Sequence, residues 1–192
     1  MVGGSAKVYD ELARNSDGHL IVLTAGIDYK SLQPLSGARA FDAATPYTII
    51  RIPHLRPPLY EGPRSLLQRV GRKLRALTLR LTVLNQIRQI VRAQKIDVVC
   101  IGELEANGWL APWCRRLFGV PTMIYVHGEE VNRRTNWRNE DATRQKSLRA
   151  AAAIIAVSRY TQDIICQKYH IERDRVHLVP NAVDAGRFAP SQ

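Results

Sequence analysis

Thr122-Met123-Ile124-Tyr125-Val126-His127-Gly128-Glu129-Glu130 sets the architecture, and Ala153-Ile154-Ile155-Ala156-Val157-Ser158 repeats its logic. Each begins as a short apolar run without polar alternation, then breaks into polar residues. Such a strand is buried on both faces, as strands are in a parallel sheet covered by helices. Further runs of this kind stand at 19–24, 47–52, 98–101 and 176–179. Between them, 6–14, 65–95, 107–118, 141–151 and 161–169 carry apolar residues every third or fourth position and read as helices, with 65–95 expected to be broken once. This alternation predicts an α/β fold, a Rossmann-like doubly wound parallel sheet. Because a helix precedes the first run, the central opening strand of such a sheet is expected to be missing. Loops are expected at 26–45, 53–63 and 129–140, where Gly, Pro and polar residues gather.

The 192 residues are 45% hydrophobic, enough for one sizeable core. A single domain over 1–183 is expected, with 184–192 as the start of a linker. No run reaches the roughly eighteen apolar residues of a membrane span, and Met1-Val2-Gly3-Gly4-Ser5 lacks the regions of a secretion signal, so the expected setting is cytoplasmic. Cys100, Cys114 and Cys166 are odd in number and have no C-x-x-C spacing, which favours reduced thiols over a disulfide or a metal site.

The net charge of +11 is concentrated in one segment. Residues 51–95 hold eleven Lys and Arg against the single acid Glu61, while 1–50 sum to −1 and 96–192 to +2. Within it Arg64, Arg69, Arg72, Lys73, Arg75 and Arg80 interleave with Leu66, Leu67, Val70, Leu74, Leu77 and Leu81, which follow a three-four rhythm. Two readings stay open: the stripe folds onto the sheet with its cations solvated, or the helix lies on an anionic membrane surface, peripheral to its inner face. The segment also admits a different function for the whole chain, a non-catalytic module binding an anion, a membrane or nucleic acid. Against nucleic acid, interleaved aromatic stacking residues, a helix-turn-helix and an RNP signature are all lacking.

Residues with chemistry collect where strands end, the edge at which open α/β sheets bind ligands. His127 can orient a hydroxyl, Gly128 permits a sharp turn and Glu129 can accept a hydroxyl proton. The plain alternative is a strand-ending histidine beside a solvated acidic loop. Ser158 follows a strand and suits either a helix N-cap or a ligand contact. Asn181 lies in a strand-ending turn. Glu103, Glu105 and Asn107 follow another strand and can face an acceptor or simply water, with Asn107 opening a helix. Gly3-Gly4-Ser5 at the mouth of a helix would let backbone N–H groups approach phosphate.

Taken in order, Gly3-Gly4 leading into Val8-Tyr9-Asp10-Glu11-Leu12, Ile96-Asp97-Val98-Val99, Gly119-Val120-Pro121 before the strand ending in His127-Gly128-Glu129, Ala153 to Ser158, and Val179-Pro180-Asn181-Ala182-Val183-Asp184 resemble the N-terminal domain of family 4 retaining glycosyltransferases, enzymes of the two-domain GT-B fold. The resemblance implies a chain that supplies the acceptor side, with a nucleotide-sugar donor as co-substrate, a glycan or lipid-linked acceptor, and no other cofactor or metal. It places Gly3 and Gly4 near the donor diphosphate and His127 near the transferred sugar, with Glu129, Ser158 and Asn181 as neighbours of the cleft. It also implies a C-terminal donor-binding domain absent from this chain, without which the chain should not turn over. Cys100 and Gly102 stand where many relatives carry histidine, and Ala182 replaces a usual glycine.

Overall fold

A computed structural model describes residues 4–58, 65–132 and 138–181. The chain divides into two compact units, Met1–Val99 with Trp113–Val120 and Cys100–Pro112 with Pro121–Gln192. All six expected strands are present, distributed over two parallel sheets.

The first unit runs α1 (Gly4–Arg14), β1 (Ile21–Ala25), α2 (Ala38–Ala44), β2 (Thr48–Ile52) and α3 (Leu66–Ala93). β1 and β2 pair in parallel, Ile21 opposite Thr48 and Ala25 opposite Ile52. Parallel neighbours need a crossover, and α2 lies on it. Residues 26–45 are therefore not wholly loop: the alanine-rich run after Gly37 is helical, consistent with the high helix propensity of alanine. Arg51 of β2 grips Asp42 of α2 through two bonds, of 2.6 and 2.7 Å, and donates to the Ala25 carbonyl at 3.1 Å. One basic residue of the 51–95 segment is thus committed internally. Tyr47 Oη donates to Asp10 of α1 at 2.7 Å. Burial, with the bond to Asp10, pushes the phenol up to about 12.

α3 is one continuous helix of 28 residues, so the expected break does not occur. Its start is fixed by a reciprocal capping box, Ser65 Oγ accepting from Gln68 N and Gln68 Oε1 from Ser65 N. Gly71 inside it costs only about 1 kcal/mol relative to alanine, too little to interrupt so long a run. Val83, Leu84, Ile87 and Val91 toward its C-terminal end are buried, whereas Leu67, Val70, Leu74, Leu77 and Leu81 before them are exposed. The reading in which that leucine stripe folds onto a sheet does not hold; the buried face is a different set of residues, further along the helix.

The second unit runs β3 (Val99–Ile101), α4 (Leu104–Asn107), α5 (Ala111–Trp113), β4 (Thr122–Val126), α6 (Glu129–Asn132), α7 (Arg138–Ala150), β5 (Ala153–Ala156), α8 (Arg159–Tyr169) and β6 (Val176–Leu178). The sheet order is β3-β4-β5-β6, with β4 parallel to β5 and β5 to β6. The helix expected over 107–118 is a series of short turns of different pitch: α4, a 3₁₀ turn at Gly108–Leu110 and α5, then a π turn at Cys114–Phe118 that belongs to the first unit. Asn107 ends α4 and also opens the 3₁₀ turn as its N-cap, though without a side-chain capping bond. Pro112 lacks an N–H, and Gly119, at φ 71°, ends the π turn. Of the loop expected at 129–140, Glu129–Asn132 form α6 and residues 138–140 belong to α7. Ile124, Val126, Ile154 and Ala156 are fully buried, as are Leu148 of α7, Val131 of α6 and Ile165 of α8.

Candidate functional site

The strand register builds one shelf in the second unit. Val126 stands opposite Ala156, and Ala156 opposite Leu178, so β4, β5 and β6 end in a common row. Val157 N donates to the Val126 carbonyl at 3.3 Å and Val179 N to the Ala156 carbonyl at 3.0 Å, carrying the row one residue further. His127, Ser158 and Asn181 therefore leave the sheet from the same C-terminal edge.

His127 is half-buried, its ring tilted 34° to that of Tyr125 with centroids 5.0 Å apart. Burial lowers its pKa below the ordinary 6.5, and Glu130 and Glu129 oppose this only in part. The imidazole is consequently neutral near pH 7, able both to donate and to accept a hydrogen bond. Gly128 follows at φ 109°, a conformation closed to most side chains, and a Cβ there would meet Thr161 Oγ1 at 3.0 Å. Its N–H donates to Glu130 Oε2 at 3.1 Å. Glu130 is thus folded back on the turn, while Glu129 is exposed.

Ser158 is the N-cap of α8. Its Oγ accepts from Thr161 N at 3.1 Å and lies 2.9 Å from Thr161 Oγ1. Asn181 Oδ1 accepts from Tyr125 Oη at 3.4 Å, and Tyr160 Oη at the start of α8 donates to Asn132 Oδ1 of α6 at 3.1 Å. The edge is therefore a connected surface of His127, Glu130, Ser158, Thr161, Tyr125 and Asn181. Sequence reasoning missed Tyr125, Glu130 and Thr161. Tyr125 reads as one more apolar strand residue, and Thr161 becomes visible only when Ser158 is recognised as a cap three residues earlier.

Glu103 is exposed immediately before α4, and Asn107 ends that helix with Oδ1 buried and lacking a hydrogen-bond partner among the described residues. Glu105 is not a free cleft residue: it holds the buried Arg144 at 2.7 Å. Arg144 also meets Asp141 at 3.2 Å, which in turn takes Lys168 and Tyr169 Oη at 3.1 Å each. This cluster ties α4, α7 and α8 together below the shelf. Burial works to raise the Asp141 pKa, but the bonds from Lys168 and Tyr169 and the Lys168 charge outweigh it and leave the carboxyl lowered.

In the first unit, Gly4 opens α1 with no atom within 4 Å of where a Cβ would stand. Gly3 and Arg64 lie outside the described residues, as does 184–192. Arg69, Lys73, Arg75 and Arg80 are exposed and Arg72 is half-buried. A cleft of about 220 Å³ is lined by Ala13, Arg14, His19, Tyr47 and their neighbours. It sits at the N-terminal ends of β1 and β2, the edge that open α/β sheets do not use for ligands. Among the described residues no group of three His, Cys, Asp or Glu could hold a metal ion, and no helix is long and apolar enough to cross a membrane.

Parallel sheets joined by helices, with a histidine at the carboxyl edge of the second, place polar side chains where open α/β sheets bind ligands. The chain belongs to glycosyltransferase family 4, whose family model matches residues 2–187. Among solved structures it is similar to that of Anabaena Alr3699/HepE in complex with UDP, with a TM-score of 0.61 at 11% identity. The match covers 96% of this chain and 42% of that one, so this chain spans less than half the length of that relative. No curated protein matches it.

Proposed function

We propose that residues 1–183 form the acceptor-side half of a retaining hexosyltransferase of the GT-B type, with 184–192 leading into a donor-binding domain. The full enzyme transfers a sugar from a nucleotide donor to a glycan or lipid-linked acceptor in the cytoplasm, where the unpaired Cys100, Cys114 and Cys166 would stay reduced. The observation that carries the reading is His127, neutral, half-buried and first after β4 on the shelf. In the reaction the bond from the anomeric carbon to the donor phosphate oxygen breaks as the acceptor hydroxyl oxygen bonds to that carbon. The hydroxyl proton passes to the departing phosphate oxygen. No protein nucleophile is consumed. His127 holds the sugar or the acceptor hydroxyl in line, and Glu129, exposed beside it, can accept from another hydroxyl. Glu103, Asn107, Ser158 and Asn181 are assigned to the acceptor or cleft, and the turn at Gly3 and Gly4 to the donor diphosphate.

The test is kinetic, in an enzyme carrying both halves. His127→Ala should lower kcat on the order of a hundredfold, about 2.7 kcal/mol in the transition state, because orientation is lost while the fold is kept. Turnover within a factor of two or so of wild type would return His127 to a purely structural part.

A further inference from the structure

The Cα of His127 stands between two peptide groups, and each of them is held. On the strand side, the peptide joining Val126 to His127 is fixed by its carbonyl, which accepts from Val157 N at 3.3 Å. On the turn side, the peptide joining His127 to Gly128 is fixed by its N–H, which donates to Glu130 Oε2 at 3.1 Å. Both peptides are planar, so holding one polar group of each limits the backbone torsions of His127 and the direction in which its imidazole leaves the sheet. The first bond belongs to the sheet edge, but the second comes from a side chain. Glyoxal-free explanations aside, no residue at 128 could supply it: a side chain there would have to adopt φ 109° and press on Thr161. Glu130 itself is seated on a fixed base. Val131 N and Asn132 N donate to the Gly128 carbonyl at 3.2 and 2.9 Å, and Val131 is 0% exposed. Lys168 Nζ of α8 donates to the Val131 carbonyl at 3.4 Å, and Tyr160 Oη of α8 to Asn132 Oδ1 at 3.1 Å. Glu129, about 100° away around the turn of α6, is exposed, whereas Glu130 is half-buried.

We propose that Glu130 is a positioning residue for the transfer reaction, its carboxylate fixing the His127–Gly128 peptide so that the imidazole keeps one direction; this rests on the reading of His127 as the side chain that holds the substrate in line. The role runs through the backbone and requires an acceptor oxygen at the end of a side chain of this length. It does not require the negative charge. Glutamine at 130 should therefore serve nearly as well, and alanine should not.

The experiment has two arms. In the 192-residue chain, amide hydrogen exchange at Gly128 should be about tenfold faster in Glu130→Ala than in wild type, and nearer to wild type in Glu130→Gln, since one hydrogen bond is lost in the first and kept in the second. In an enzyme carrying both halves, Glu130→Ala should lower kcat about tenfold and Glu130→Gln no more than about threefold. Added to His127→Ala, the alanine variant should cost less than about twofold more, because a residue that acts through His127 has nothing left to position. A residue that only stabilises the fold would instead lower activity by the same factor in both backgrounds. Three results would overturn the proposal: Glu130→Ala turning over within about twofold of wild type while His127→Ala is slow, Glu130→Gln as slow as Glu130→Ala, or a full further tenfold loss in the double variant. Normal turnover by His127→Ala would instead overturn the reading of His127, and the role of Glu130 with it.

Discussion

β1 and β4 are five-residue runs of comparable hydrophobicity, yet they end in different situations. Ile21-Val22-Leu23-Thr24-Ala25 is nowhere fully buried and pairs with β2 in a two-stranded sheet. Thr122-Met123-Ile124-Tyr125-Val126 is buried at every position except Met123, inside a four-stranded sheet that α6 and α8 pack against. Burial is conferred by neighbours on both faces and both edges, and the composition of the strand itself does not supply it. For function the difference matters, because a side chain that must hold a substrate in line gains from a base that does not move. In the proposed function His127, which follows the better-buried strand, has that advantage.

Core truncations should break the two strands apart most widely. Ile124→Ala and Ile154→Ala, both at positions with 0% exposure, should each cost about 2–5 kcal/mol in urea unfolding. Leu23→Ala in β1, only half-buried, should cost about 1 kcal/mol, since less apolar surface is lost and water can fill the gap. Equal costs would mean that the first sheet is as well packed as the second.

A smaller effect sharpens the contrast at the turn. Gly128→Ala has to adopt φ 109° and press on Thr161, and should lose about 1–3 kcal/mol. Gly4→Ala, with open space around its Cβ position, should be neutral or slightly stabilising, because alanine is the better helix former. Smaller again is the acid response of the Asp141 cluster. Since its folded pKa is lowered from 3.8, its contribution is complete above that ordinary value and is lost as pH falls through the lowered one. Asp141→Asn should therefore flatten the fall in melting temperature below about pH 4 while leaving activity near neutrality intact. At the bottom of the scale, Leu74→Gln in the exposed half of α3 should change stability by no more than about 0.5 kcal/mol. Ile87→Ala in its buried half should cost about 2–5 kcal/mol.

The strands were legible because a β-branched apolar run bounded by turn residues admits few other structures, and the edge of β4 was legible because polarity changes abruptly at His127. Other features depend on packing that periodicity does not report. α2 escaped notice since Ala38-Arg39-Ala40-Phe41-Asp42-Ala43-Ala44 has no apolar face of its own and is held by Arg51 from β2. The leucine stripe of α3 has the pattern of a core-facing helix, and only the exposure of its side chains shows that it is not one. The cluster of Glu105, Asp141, Arg144, Lys168 and Tyr169 joins residues from three elements, so no local spacing announces it. Ser158 was readable as a cap, but its partnership with Thr161 and the placement of Asn181 against Tyr125 needed the register of β4, β5 and β6.

The central claim is that this chain is the acceptor side of a glycosyltransferase whose donor is held chiefly elsewhere. Calorimetric titration of the 192-residue chain with UDP- and GDP-sugars tests it most directly. The account predicts weak binding, with Kd on the order of 1 mM, equivalent to about 4 kcal/mol, and no transfer to any acceptor. Binding at about 1 μM or tighter, worth about 8 kcal/mol, would contradict it and show that this half holds the donor itself.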